Sequence, residues 1–143
     1  MKINILKKHE AYLPGQRPVL YQLGKAYLHL EDLDSAEKYY LKLLEVDPND
    51  NTAYHGLAVV YLRKKEYERA AEHALKSIEL NYHYPNAHFH LGMALTRLGL
   101  FEDAARAFEI CLSLDPGMGK ARNQLIEIYE EQLDRPDAAE RHR

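Results

Sequence analysis

The chain has 143 residues, which suits one compact domain or a short array of small units. Its net charge of −3 provides no basic field for nucleic acid, and no apolar run reaches the length of about 20 residues that a membrane-spanning helix needs. One cysteine excludes an internal disulfide, and the N-terminal residues lack the apolar segment of a signal peptide. The sequence therefore predicts a cytoplasmic protein without a nucleic-acid or membrane partner.

The predicted elements recur with a period of 34 residues. Leucine occupies Leu23, Leu57, Leu91 and Leu125, and alanine occupies Ala36, Ala70, Ala104 and Ala138. The small residues Gly24, Ala58 and Gly92 follow the first three leucines. Such self-similarity indicates a repeat protein, in which neighbouring units stack to bury one continuous core.

In chain order, residues 1–16 predict a single helix, either the second helix of a preceding partial repeat or a cap. Residues 17–50, 51–84 and 85–118 each predict a helical hairpin, because apolar residues recur at helical spacing on both sides of a short polar turn. Residues 119–143 predict a partial fourth repeat or a C-terminal cap. We expect about seven main helices in total.

Small residues inside these helices predict close helix packing. In the first hairpin, the turn "EDLDS" supplies residues suited to ending one helix and capping the next. Gly24 and Ala36 flank that turn on the two helices, and a glycine inside a helix costs about 1 kcal/mol relative to alanine. We therefore expect the two helices to approach closely at this pair, and the same in the following two hairpins.

The repeated motifs resemble those of the tetratricopeptide repeat (TPR) family. "LYQLGKAY", "AYHGLAVVY" and "HFHLGMAL" match the first half of its pattern, and "SAEKYY", "RAAEHA" and "DAARAF" match the second half. The resemblance covers residues 17–118 and departs from the pattern at His88, Ala74, Tyr82 and Arg122. It implies one all-α TPR domain over residues 1–143, an α-solenoid of stacked antiparallel helix pairs in a right-handed superhelical array.

The resemblance also implies a function, a protein–protein interaction scaffold that binds a peptide or partner segment in its concave groove. In the family, the groove is built from particular positions on the first helix of each repeat. Carried onto this sequence, they predict a peptide-binding groove of Tyr21, Lys25, Leu28, His55, Val59, Leu62, Arg63, Phe89, His90, Met93 and Arg97. Apolar and basic residues share this face, which favours another protein or peptide with an apolar anchor and acidic character. The lysine–asparagine–arginine clamp and the asparagine ladder of some family members are absent from the matching positions.

The histidines and the cysteine do not suggest chemistry. His88 and His90 are two residues apart on a predicted helix and so point about 200° apart, which prevents them from sharing a metal. His83 lies in a predicted turn, and Cys111 falls where a buried structural thiol is expected. No phosphate loop, nucleophile elbow or zinc-protease motif is present. We predict no catalytic residues, no metal and no cofactor.

Two further hypotheses stay open because the repeat phase continues to both ends of the chain. The chain could be an accessory segment of a longer enzyme, such as a transferase or a hydrolase, that recruits its substrate or partner. It could also be a self-assembly module that forms a weak homo-oligomer through the apolar edge of an incomplete hairpin.

Overall fold

The computed structural model describes residues 2–143, and every regular element in that range is a helix. In chain order they are α1 (Lys2–Tyr12), α2 (Arg17–His29), α3 (Leu33–Val46), α4 (Asn51–Arg63), α5 (Tyr67–Leu80), α6 (Pro85–Arg97), α7 (Phe101–Leu114), α8 (Gly119–Glu127) and α9 (Pro136–Glu140). A π-helical segment, Ile128–Gln132, continues α8 directly. Helices α1 to α7 have 11 to 14 residues each, in agreement with the predicted number of main helices. The all-α prediction is confirmed.

The helices pack mainly with their neighbours in sequence, which confirms the predicted solenoid of helix pairs. The pairs are α2 with α3, α4 with α5 and α6 with α7, and each pair stacks on the next. The first helices α2, α4 and α6 also contact one another in series, whereas the second helices α3, α5 and α7 make no comparable contacts within residues 2–143. The layer of first helices therefore lies on the inner side of the curved stack, and we call its solvent side the inner face.

Glycines in the first helices make room for aromatic rings of the second helices. A methyl group on Gly24 would lie 2.9 Å from Cε1 of Tyr40, and one on Gly56 would lie 2.5 Å from Cζ of the same ring. One on Gly92 would lie 2.7 Å from the ring of Phe108. The expected close approach at Gly24 and Gly92 is thus present, with an aromatic ring as the partner. Tyr40 fills space in its own hairpin and in the next one.

Helix capping follows the short polar turns that the sequence provides. Asp32 accepts from the Ser35 amide at 3.2 Å and caps α3. Asp50 accepts from the Thr52 amide at 3.0 Å and caps α4, while its second oxygen accepts from Arg17 Nη2 at 2.9 Å. Burial by itself raises the pKa of the Asp50 carboxyl, but the hydrogen bonds from Thr52 and Arg17 outweigh it and the pKa lies below its usual value.

A polar network connects the first hairpin (α2 and α3) to the second (α4 and α5), a contact that we call the first joint. Tyr61 Oη donates to Glu37 Oε2 at 2.6 Å and accepts from Arg69 Nη2 at 2.9 Å. Lys64 Nζ donates to Asp34 Oδ1 at 2.7 Å and to Glu37 Oε1 at 2.9 Å. Burial alone raises the pKa of the Glu37 carboxyl, but the bonds from Tyr61 and Lys64 outweigh it and lower the pKa. The first joint therefore depends on charge as well as on packing.

The C-terminal segment folds back onto α7. Arg135 donates to both carboxylate oxygens of Glu102, at 2.6 and 3.2 Å. His142 Nε2 lies 2.7 Å from Glu109 Oε1, and Tyr129 Oη donates to the same oxygen at 3.1 Å. Ala138 and Ala139 of α9 are buried. These contacts hold the C-terminal segment against α7 and α8.

No helix within residues 2–143 combines the length and the apolar content that crossing a membrane requires.

Candidate functional site

Most of the predicted groove residues line one of two hollows on the inner face. The N-terminal hollow, with a volume of ≈ 590 Å³, is lined by Lys2, Ile3, Gln22, Lys25, Ala26, Leu28, His29, Leu30 and Arg63. The central hollow, with a volume of ≈ 500 Å³, is lined by Val59, Leu62, Arg63, Lys65, Tyr67, Phe89, His90, Met93 and Arg97. Nine of the eleven predicted residues line one hollow or both, as these two sets show; Tyr21 and His55 line neither. Sequence reasoning did not single out the α1 residues or Lys65.

Several predicted groove residues contribute more to the core than to the surface. Tyr21 packs edge-on against Tyr40, with ring centroids 6.5 Å apart. Phe89 is only 8% exposed, and the centroid of its ring lies 5.7 Å from that of the Phe108 ring. The Lys120 ammonium group sits 4.5 Å from the centroid of the Phe89 ring and covers it further. The accessible apolar surface of the central hollow is therefore provided by its other apolar residues.

Arg63 borders both hollows, and its guanidinium is held in place by the preceding repeat. Its Nη1 donates to the Leu28 carbonyl at 2.9 Å and to Glu31 Oε1 at 2.7 Å. Glu31 lies in the turn that follows α2, directly after the C-cap residue Leu30. Its φ of +61° is in the left-handed region. The Arg63–Glu31 pair is thus an ion pair between neighbouring repeats at the edge of both hollows.

The inner face is positively charged although the chain as a whole is acidic. Five cationic side chains line the two hollows, Lys2, Lys25, Arg63, Lys65 and Arg97, and of these Arg63 is already paired with Glu31. No carboxylate appears in either lining among residues 2–143. Because the net charge of the chain is −3, this distribution is a local concentration of one sign and favours acidic ligands.

Two histidines from neighbouring first helices form a hydrogen-bonded pair beneath the inner face. His55 Nε2 lies 2.9 Å from His90 Nδ1, and that same nitrogen of His90 lies 2.9 Å from the Asn86 carbonyl. Since a carbonyl can only accept, the contact with Asn86 requires the proton on His90 Nδ1, and this single hydrogen is shared between the Asn86 carbonyl and His55 Nε2. The other ring nitrogen of His55, Nδ1, lies 3.4 Å from Tyr84 Oη. The sequence placed both histidines on the groove side without indicating that they touch.

The environment of this pair favours its neutral form. Burial is the main cause that lowers the pKa of both imidazoles below 6.5. Lys120 lowers the pKa of both rings further, and Arg63 adds to the effect on His90. The hydrogen bond to Asn86 opposes the shift at His90 without reversing it. The pair is therefore uncharged at neutral pH.

We expect the free energy of unfolding to fall as the pH is lowered from 7 to 5. The folded pKa of each paired histidine lies below its unfolded value, so the unfolded chain binds more protons below pH 6.5 and is favoured there. Each histidine should contribute a loss of about 2 kcal/mol over this interval. Urea denaturation at several pH values measures the effect.

Replacing His55 and His90 together by glutamine should flatten that pH dependence, whereas His9→Gln, at an exposed position of α1, should leave it unchanged. Equal pH profiles for the wild type and the double variant would show that the pair does not resist protonation.

The buried residues His88 and Cys111 have packing roles. His88 is 2% exposed, and its Nε2 lies 2.8 Å from the Tyr82 carbonyl. Cys111 is buried as predicted, with Sγ 3.3 Å from Met118 Sδ, and burial raises the pKa of the thiol to about 11. Such a thiol is a poor nucleophile at neutral pH. Within residues 2–143, no three His, Cys, Asp or Glu side chains are placed to hold a metal.

The helix pairs and their stacking define a helical repeat protein of the solenoid class. Family models described as tetratricopeptide repeats match residues 21–85 and 85–118, so the chain belongs to the tetratricopeptide repeat family. Both matches are to repeat units and are consistent with a domain that has no catalytic activity of its own.

Curated relatives are much longer than this chain. Protein O-mannosyl-transferase Tmtc3 of Drosophila melanogaster is 36% identical over 62 residues, 43% of this chain and 6% of that protein. Mouse tetratricopeptide repeat protein 28 is 32% identical over 108 residues, 76% of this chain and 4% of that protein. Rat serine/threonine-protein phosphatase 5 is 26% identical over 121 residues, 82% of this chain and 24% of that protein. The chain thus spans less than a quarter of the length of these relatives.

Solved structures share the fold. The crystal structure of MamA has a TM-score of 0.87 with this chain and 26% sequence identity, and the match covers 98% of this chain and 81% of MamA. The first TPR domain of Spaghetti (RPAP3), bound to the HSP90 peptide SRMEEVD, has a TM-score of 0.77 and 28% identity. That match covers 80% of this chain and 90% of the RPAP3 domain.

Proposed function

We propose that this protein is a protein-interaction module whose inner face binds an extended peptide or partner segment. The segment combines acidic residues with apolar side chains. The observation that carries the proposal is the lining of the two hollows, in which apolar surface is accompanied by five cations and, among residues 2–143, by no carboxylate. The RPAP3 domain, whose structure holds an acidic HSP90 peptide, supports this mode of binding.

The central hollow provides both kinds of contact. Val59, Leu62 and Met93 present partly buried apolar surface, so that an apolar side chain of the ligand would lose contact with water there. Arg97 is exposed at the end of α6, where its guanidinium group can donate to a ligand carboxylate, and Lys65 belongs to the same lining. Apolar anchoring would supply affinity, and the charges would select acidic sequences.

Three amidated peptides with an N-terminal fluorescein test this function: DLDDLDDLDD and its counterparts with asparagine or lysine in place of aspartate. We expect the aspartate peptide to bind, the asparagine peptide to bind more weakly and the lysine peptide not to bind. Fluorescence anisotropy measures the affinities, which should fall for the aspartate peptide as salt is added. In NMR titrations with the unlabelled peptide, amides of α4 and α6 should shift more than those of α3 and α5.

Equal binding of the aspartate and lysine peptides, or shifts confined to the second helices, would overturn the proposal. Binding of none of the three peptides at millimolar concentration would also count against an acidic, apolar ligand.

A second candidate function is that of an accessory segment in a longer enzyme. The observation that favours it is the partial match to a transferase and to a phosphatase, of which this chain covers 6% and 24%. In that setting, the same inner face would recruit a substrate or dock on a catalytic domain. A complete reading frame that encodes a catalytic domain beside this segment would support the idea, and one without such a domain would refute it.

A further inference from the structure

We infer that the ligand places a carboxylate between Lys65 and Arg97, at a position that a residue of the protein itself fills in the preceding repeat. This inference rests on the proposed function and names the point at which an acidic ligand is held. It follows from a comparison of two equivalent places in the fold, which we call corners. In each, the turn after one first helix lies beside the end of the next first helix: Glu31 with Arg63 in the first corner, and Lys65 with Arg97 in the second.

The first of these corners is self-contained. Glu31 follows the end of α2, and its carboxylate accepts from Arg63 Nη1 at 2.7 Å. Arg63 is the last residue of α4, the first helix of the next hairpin. An arginine at the end of one first helix thus binds a carboxylate from the turn of the preceding hairpin.

The second corner lies 34 residues further along the chain and has the same backbone. Lys65 takes the place of Glu31 and has nearly the same φ, +64° against +61°. Its amide donates to the carbonyl three residues back at 3.0 Å, as the Glu31 amide does at 3.1 Å. Arg97 takes the place of Arg63, as the last residue of α6. The two corners therefore direct their side chains from equivalent backbone positions.

The two charged residues at the second corner cannot form an ion pair, because both are cations. Lys65 and Arg97 are both cationic, both exposed and both line the central hollow. Neither forms an ion pair with any residue in the range 2–143. An external carboxylate would meet two unpaired cations there, whereas the preceding repeat supplies its own carboxylate.

The apolar part of the ligand has an adjacent site. Leu62 lies three residues before Lys65, and Met93 lies four residues, or about one helical turn, before Arg97. A ligand with an apolar side chain next to an Asp or Glu residue could therefore occupy the hollow and the corner together. The chemistry required is that of an acidic, apolar segment of another protein.

The test exchanges the residues of the two corners. Lys65→Glu supplies the carboxylate from within the chain, as in the first corner, and should reduce the affinity for DLDDLDDLDD by about 10-fold or more. The same change should raise the midpoint of thermal unfolding slightly, because it adds an ion pair like that of Arg63 with Glu31. Loss of binding together with a gain in stability is a combination that simple damage to the fold cannot produce. Glu31→Lys should have the opposite effect and increase the affinity, since it creates a second cationic corner at Arg63.

Lys8→Glu on the exposed face of α1 makes the same change in net charge and serves as the matched control. If Lys65→Glu and Lys8→Glu weaken binding equally, only the overall charge matters and the inference is wrong. If Lys65→Glu has no effect while the wild type still binds the aspartate peptide on α4 and α6, the proposed function stands and this carboxylate position is refuted. If the wild type binds no acidic peptide, the proposed function fails and the inference fails with it.

Discussion

Replacing Tyr40 by alanine should lower the free energy of unfolding by about 3 to 5 kcal/mol, the range found when a buried aromatic ring is removed. Tyr40 is 2% exposed, and its ring rests against Gly24 in its own hairpin and against Gly56 in the next one. The substitution would open a cavity at the point where two repeats meet, and neither glycine has a side chain that could fill it. Urea denaturation followed by circular dichroism measures the loss.

The matched control for this prediction is Tyr12→Ala. Tyr12 is 84% exposed on α1, and its loss should change the free energy of unfolding by no more than about 0.5 kcal/mol. If the two variants unfold at the same urea concentration, Tyr40 does not connect the repeats in the way that the glycine contacts indicate.

Reversing the charge of Arg97 should reduce the affinity for the aspartate peptide by about 100-fold. In Arg97→Glu, a ligand carboxylate would meet a negative charge in place of a guanidinium at the corner where we infer that it binds. The fold should be preserved, because Arg97 is exposed at the end of α6 and forms no ion pair within the described range 2–143. Isothermal titration calorimetry with unlabelled DLDDLDDLDD measures the affinity, and a thermal melt confirms folding.

Arg106→Glu provides the control for Arg97→Glu. Arg106 is exposed on α7, one of the second helices, where it pairs with Asp103. This variant changes the net charge equally and should keep most of the affinity. If both variants bind with wild-type affinity, the peptide is not held at the end of α6. If both lose affinity equally, the attraction is general and not confined to the inner face.

The fold was predictable because each repeat buries the same positions, so that apolar and small residues recur at a fixed spacing in the sequence. Leu23 and its equivalents mark one buried stripe, and Ala36 and its equivalents mark the helix that packs on it. Each hairpin is short and mostly local, so periodicity and capping residues were enough to predict the helices. The sequence also placed nine of the eleven predicted groove residues beside the two hollows, since helical spacing separates the inner face from the core.

The finer arrangement of the site was not predictable, because it depends on contacts between repeats. Gly56 receives the ring of Tyr40 from the previous hairpin, and no pattern within its own repeat indicates this contact. His55 and His90 are 35 residues apart, and only the packing of α4 beside α6 brings their rings together. The N-terminal hollow needs Ile3 of α1 as part of its wall, and nothing in the pattern of α1 indicates this role.

The polar network at the first joint has no counterpart at the equivalent positions between the second hairpin (α4 and α5) and the third (α6 and α7). Counting 34 residues on from Glu37, Tyr61 and Lys64 leads to Ala71, Leu95 and Leu98, which are all apolar. Screening by ions weakens charged contacts at the surface, while it leaves apolar contacts intact or strengthens them. Concentrated salt should therefore weaken the first joint more than the contact between the second and third hairpins, and it should also weaken the Arg135–Glu102 pair that holds the C-terminal segment on α7.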